Sequence, residues 1–225
     1  MIKIFSKLII FSAIADILAP CFLYAANCPG NVNEYLDMIE SYKPLQSDST
    51  GLISFVKCIY EPVWNYVEHP DSLWDPDFDS TIFERTWKDR ERVIRDVAPL
   101  AKSADDSLRL AAAAALAYYN YPPSNQILKY YPDGPFKAVL YAILNDTVEV
   151  GWTIDRYLAA EKLAGTDPET SLRDRMIYLG LLYHIAMPNS VPFINELIQN
   201  EKSVELNNAA AAVKRRITLL NPIIE

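Results

Sequence analysis

The sequence predicts an all-α fold: antiparallel helical hairpins stacked side by side as a short α-solenoid, behind an N-terminal helical pair tied by a disulfide. Three observations carry this. Leucines at 108, 140, 172 and 206 anchor similar apolar faces at intervals of 32, 32 and 34 residues, the period of stacked two-helix units. Apolar residues elsewhere recur at i, i+3 and i+4 rather than in alternation. The 225 residues include only 6 Gly against 15 Pro, which argues against a β-rich fold with many tight turns and against glycine-rich phosphate loops. Hydrophobic residues make up 51% and charged residues 22%, a composition that folds.

Residues 1–26 read as an address. Lys3 and Lys7 give a positive start, Leu8 to Leu23 is apolar, and Tyr24-Ala25-Ala26 ends in small residues. That order is a secretory signal peptide cut after Ala26. Asp16 and Pro20 interrupt the stretch, which disfavours a spanning helix and with it stable membrane insertion. Cleavage removes Lys3, Lys7 and Asp16 and moves the formal net charge from −8 to −9. Residues 27–225 are then expected to form one helical domain, with N-terminal helices and an acidic loop over 27–79 and repeats over 80–225. A chain of this size buries roughly 70% of its unfolded surface.

Cys21 leaves with the signal peptide. Cys28 and Cys58 remain as an even pair in an oxidising compartment, so they are expected to bond. The bridge would add about 3–4 kcal/mol in the chain-entropy account. It ties the mature N-terminus to the second of two amphipathic helices. The first carries Val32, Tyr35, Leu36 and Ile39, the second Leu52, Phe55, Val56, Ile59 and Tyr60, with the polar run Gln46 to Ser49 between them. After Pro62 the chain stays apolar through Trp64 and Val67. Glu68 to Asp79 is rich in Pro and Asp and has no period, so it reads as a surface loop. Thr81 and Glu84 have capping-box spacing and open a helix bearing Phe83, Trp87, Ile94 and Val97.

The repeats follow. Ser107-Leu108-Arg109 recurs as Ser171-Leu172-Arg173. Behind Leu108 lie Ala111, Ala112, Ala115, Leu116 and Tyr119 on one face. Behind Leu140 lie Ile143 and Leu144, and behind Leu206 lie Ala209, Ala210, Val213 and Ile217. Asp167-Pro168 is an N-cap followed by proline at the first helical position, and Pro135 and Pro192 also sit near helix starts. The partner helices are expected over 93–101, 125–131, 152–164 and 192–199, the second only a turn or two long.

Asp105-Asp106-Ser107-Leu108-Arg109-Leu110-Ala111-Ala112 resembles the second helix of a HEAT repeat, in which an Asp precedes an apolar-Arg pair and then small residues. Asp167 to Leu181 resembles it less closely, because Arg175 falls on the face that should be buried. The units at Leu140 and Leu206 lack the Asp and Arg. A TPR-like or Sel1-like hairpin fits the same period. The resemblance covers residues 90–217 and implies an α-solenoid that binds other proteins. It implies no reaction.

Catalytic and cofactor signatures are not found in the sequence. Only His69 and His184 could serve a nucleophile triad, no Ser has a G-x-S-x-G setting, and neither Cys has a nucleophile context. His184, beside Tyr183 in an apolar helix, reads as a hydrogen-bonded core or groove residue, and His69 as solvated. No zinc or nucleotide motif is present. Asp75, Asp77 and Asp79 have the spacing that opens a calcium loop, but Ser80 stands where that loop needs Gly and Thr86 where it needs Glu. No metal or cofactor is therefore expected. The same residues, with Trp74 and Phe78 interleaved, make a candidate partner-binding patch, since aromatics flanked by charge suit hot spots.

A pI near 4.9 argues against nucleic acid as the partner. The function these features favour is a secreted, periplasmic protein-binding module without enzyme activity. Its most concrete form is an acidic inhibitor or immunity protein that blocks a basic partner such as a toxin enzyme. The alternatives are an all-helical enzyme acting on peptidoglycan or another glycan, and a general periplasmic scaffold.

Overall fold

The computed structural model describes residues 28, 31–42, 49–75, 77–144 and 150–222, and the side chains of 79–81 and 83–87 fall outside that description. The signal-peptide reading of residues 1–26 lies outside it too. Among the described residues the regular structure is entirely helical.

The helix α1 (Val32–Tyr42) buries Tyr35, Leu36 and Ile39, and α2 (Ser49–Ile59) buries Val56 and Ile59. The two pack together, as their apolar stripes require. Cys28 is bonded to Cys58 with a Cα–Cα distance of 5.6 Å. The chain between 68 and 79 is more ordered than its composition implies. After α3 (Pro62–Glu68), Pro70 starts a 3-10 turn, Pro70–Trp74, and α4 (Phe78–Val97) begins three residues before Thr81. Proline at the first position of both α3 and the turn costs no hydrogen bond there. Asp75 closes the corner: its carbonyl accepts from the Phe78 N–H at 3.0 Å and its Oδ1 from the Asp77 N–H at 2.9 Å. The helix expected at 93–101 is the second half of α4.

The remaining helices are α5 (Asp106–Tyr118), α6 (Asn125–Leu128), α7 (Pro135–Leu144), α8 (Val150–Glu161), α9 (Pro168–Ile185), α10 (Val191–Asn200) and α11 (Val204–Leu220). Of the helix starts read from the sequence, the Asp167 cap is in place, accepting from the N–H group of Thr170, whereas Thr81 and Glu84 fall inside α4. Asp105, not anticipated as a cap from the sequence, accepts from the N–H groups of Ser107 and Leu108. Ser203 caps α11 in the same way. A hydrogen bond from Ser49 Oγ, with those from the Leu108 and Ser107 N–H groups, holds the Asp105 carboxyl below its usual pKa. Asp105→Ala should cost about 1–2 kcal/mol in urea unfolding. The Asp105 contribution is present above the unfolded carboxylate pKa and is lost as pH falls through the lowered folded value, so the deficit should shrink in acid.

The helices that carry the four leucines pack in chain order: α5 on α7, α7 on α9, and α9 on α11. Leu108, Leu140 and Leu206 are buried, whereas Leu172 is only half-buried because Ser171 and Arg175 take the inward positions of α9. The helices α8 and α10 lie on α9 and α11, and α4 and α6 lie on α5. The N-terminal segment runs along the same row, α2 on α5, α3 on α7, and the turn Pro70–Trp74 on α9. Covered in this way, α5 is buried on every side from Ala111 to Tyr118, and α9 from Ile177 to Leu182. A run of alanines permits this, since small side chains let several neighbours approach one helix at once. Gly180 does the same for the turn: a Cβ there would stand 3.1 Å from the Leu73 Cβ.

Candidate functional site

Residues 58–84 contain seven carboxylates, Glu61, Glu68, Asp71, Asp75, Asp77, Asp79 and Glu84, and neither Lys nor Arg. The formal charge of the whole chain is −8, so nearly all the excess acidity sits in this one stretch. Glu68, Asp71, Asp75 and Asp77 are exposed, and Glu61 is half-buried. None of these five takes part in an ion pair among the described residues.

The two aromatics expected beside them face the other way. Phe78 is 2% exposed, its ring 5.4 Å from Tyr66 and 4.9 Å from His184. It is core, and it is withdrawn from the candidate patch. Trp74 is half-buried, with its ring 5.5 Å from Tyr183 and its indole Nε1 out of solvent. The side chain of Asp79 lies outside the described residues. His184 is the buried, hydrogen-bonded residue the sequence implied, and its partner is the carbonyl of Leu73, 2.8 Å from Nε2. That carbonyl leaves Nε2 as the donor. The aromatics and His184 thus root the turn on α9, and the carboxylates are what it presents to solvent.

A second assembly was not anticipated from the sequence. Lys137, 3% exposed, donates to the carbonyls of Lys129 and Tyr131 and to Asp133 Oδ1, each at 3.0 Å. Its ammonium also lies 5.7 Å from the ring centres of both Tyr141 and Trp152. Arg156 approaches the other oxygen of Asp133 at 3.7 Å. Nearby, burial pushes the Tyr178 phenol up, and Asp174 and Asp133 add to that. Burial also raises the Asp174 carboxyl despite the Arg173 guanidinium. At Asp133 burial opposes ionisation, but the hydrogen bond and charge of Lys137, together with the Trp152 hydrogen bond and the Arg156 charge, outweigh it and hold the carboxyl low. Two carboxylates with pKa values pushed apart are what acid–base chemistry needs. Here, however, Asp133 is held by Lys137 and Arg156, and Asp174 is paired with Arg173 at 3.2 Å. Both carboxylates are thus held by cations of the cluster, which fastens the turn before α7 to α8. A lone Lys inside the apolar run Pro135–Leu144, four residues after an Asp, was the available signal.

The third polar group is Arg175, whose position looked wrong for a buried face. It is buried, and its Nη1 donates to Glu201 Oε2 at 3.0 Å across the junction of α9 with the loop between α10 and α11. Its guanidinium also lies 5.9 Å from the Tyr157 ring centre.

Comparison of the chain with protein-family models, curated proteins and solved structures gives no match. No described helix is long and apolar enough to cross a membrane. No group of three or more His, Cys, Asp or Glu among the described residues is arranged to hold a metal ion.

Proposed function

We propose that the chain is a secreted, non-enzymatic protein-binding module whose acidic segment, residues 58–84, docks on a basic surface of another protein. The observation that carries this is the contrast between the polar groups. Asp133, Asp174 and Glu201 are paired with cations of the same chain, whereas Glu68, Asp71, Asp75 and Asp77 are exposed and, like half-buried Glu61, make no ion pair among the described residues. An exposed field of one sign lowers the stability of the free protein through self-repulsion and is repaid when a complementary surface arrives. Rooting the turn on α9 through Leu73, Trp74 and Phe78 supports the reading, because a fixed array of charges loses little freedom on binding.

The ordered row α5, α7, α9, α11 supports a short HEAT-like solenoid as the scaffold. Its usual partner-binding groove would then be filled by the chain's own N-terminal segment, which moves recognition from the groove to the segment's outer edge. In its most concrete form the protein is an inhibitor or immunity protein that covers the active site of a basic toxin enzyme in the periplasm. The Cys28–Cys58 bond is compatible with that compartment.

The test is affinity capture from the native cell envelope with immobilised wild-type chain and with an Asp71→Asn/Asp75→Asn/Asp77→Asn variant. The wild type should retain a basic protein at about 50 mM salt and lose it at about 300 mM, and the variant should retain at least tenfold less. Capture indifferent to the three substitutions and to salt would remove the acidic segment from the reading. Cleavage of peptidoglycan by the purified chain over many turnovers would replace it with the enzyme reading.

A further inference from the structure

The helix α11 is the last of the row, and among the described residues no element of the N-terminal segment packs on it as α2, α3 and the Pro70–Trp74 turn pack on the earlier three. Its inward face, Leu206, Ala209, Ala210, Val213 and Ile217, is buried against α9 and α10. Along the opposite face run Val204, Asn208, Ala211, Ala212, Arg215 and Leu219, spaced three and four apart on either side of the adjacent pair Ala211 and Ala212. Val204 is 68% and Leu219 74% exposed. Asn208 and Arg215 are exposed, and the two alanines half-exposed.

The chemistry of this stripe reads the same from either end about its midpoint: apolar, polar, small, small, polar, apolar. We propose that α11 is a self-association face, on which a second copy of this chain lies antiparallel across a two-fold axis between Ala211 and Ala212. In that register Leu219 meets the second copy's Val204, and Arg215 donates to the amide oxygen of its Asn208. The alanines let the helix axes close at the crossing. Each contact occurs twice, as an isologous interface demands. An unrelated partner would need to match the stripe, whereas a second copy matches it by construction.

The 17-residue helix is about 25 Å long. One such pairing buries on the order of 1,000 Å², the lower end for a specific interface, so a dimer with a dissociation constant of about 10–100 µM is expected. This inference does not depend on the acidic segment, and its test is separate.

Sedimentation velocity of the purified chain from about 5 to about 500 µM should show conversion of monomer to dimer. Leu219→Glu sets a carboxylate against the second copy's Val204 and should weaken the dimer at least tenfold. Leu219 is exposed, so the thermal melt of that variant should match the wild type. In a Cys21→Ser background, Ala212→Cys should form a disulfide-linked dimer under mild oxidation, and Gln126→Cys, on the exposed side of α6, should not. A monomer at every concentration, a dimer insensitive to Leu219→Glu, or equal cross-linking of the two cysteine variants would each overturn the proposal.

Discussion

Ala112→Arg should abolish cooperative folding, or leave a protein destabilised by more than about 4 kcal/mol. Ala112 is 0% exposed and lies in the part of α5 that is buried on every side, with α2, α4 and α7 packed around that helix. The substitution does two things at once. It forces a long side chain into space that holds one methyl group, which alone costs about 1–3 kcal/mol in a close-packed core. It also places a guanidinium where no carboxylate stands ready, and an unpaired buried charge costs several kcal/mol more. A domain of this size has about 5–15 kcal/mol in total, so the sum reaches the whole margin. Near-ultraviolet circular dichroism and a thermal melt would read the loss. Gln126→Arg, on the exposed side of α6, is the control and should lie within about 0.5 kcal/mol of wild type. A melt of Ala112→Arg close to wild type would show that α5 is not packed as described.

The features legible in the sequence are those set within a few residues. Asp167 announces its cap because the N–H group it accepts lies three residues on. Leu108, Leu140 and Leu206 announce buried faces because a helix repeats its surface every three to four residues. Features that depend on distant chain were not legible. Trp74 and Phe78 lie in a stretch with no period, and what buries or anchors them is Tyr183, His184 and the space left at Gly180, more than a hundred residues away. Their position beside Asp75 and Asp77 therefore looked like an exposed hot spot when it is an anchored edge. The acidity of the segment needed no tertiary knowledge, since charge counts directly. The absence of ion pairs at its described carboxylates did, because ion pairs such as Arg92 with Asp37 join residues far apart in sequence.

Arg175 is the sharpest case of that kind, and removal of its partner should have the second large effect. Glu201→Ala should destabilise the protein by about 3–5 kcal/mol, lowering the midpoint by about 10 °C. The guanidinium is 8% exposed and its carboxylate partner nearly as sheltered, so the pair gains little screening from water. Without Glu201 the remaining contacts are the Ser171 carbonyl, 3.4 Å from Nε, and the Tyr157 ring, and neither carries a negative charge. The same substitution frees the N–H of Ser203, the α11 cap, which donates to Glu201 Oε1 at 2.8 Å. Destabilisation here comes from stranding a cation, and it is not a measure of what the pair is worth. Arg175→Met with Glu201→Leu should therefore cost less than about 2 kcal/mol, because it removes both charges and refills the space with apolar atoms. A double variant as unstable as Glu201→Ala would instead mean that the pair fixes the approach of α11 to α9, which apolar packing could not replace. Urea unfolding of Glu201→Ala and of the double variant separates these outcomes.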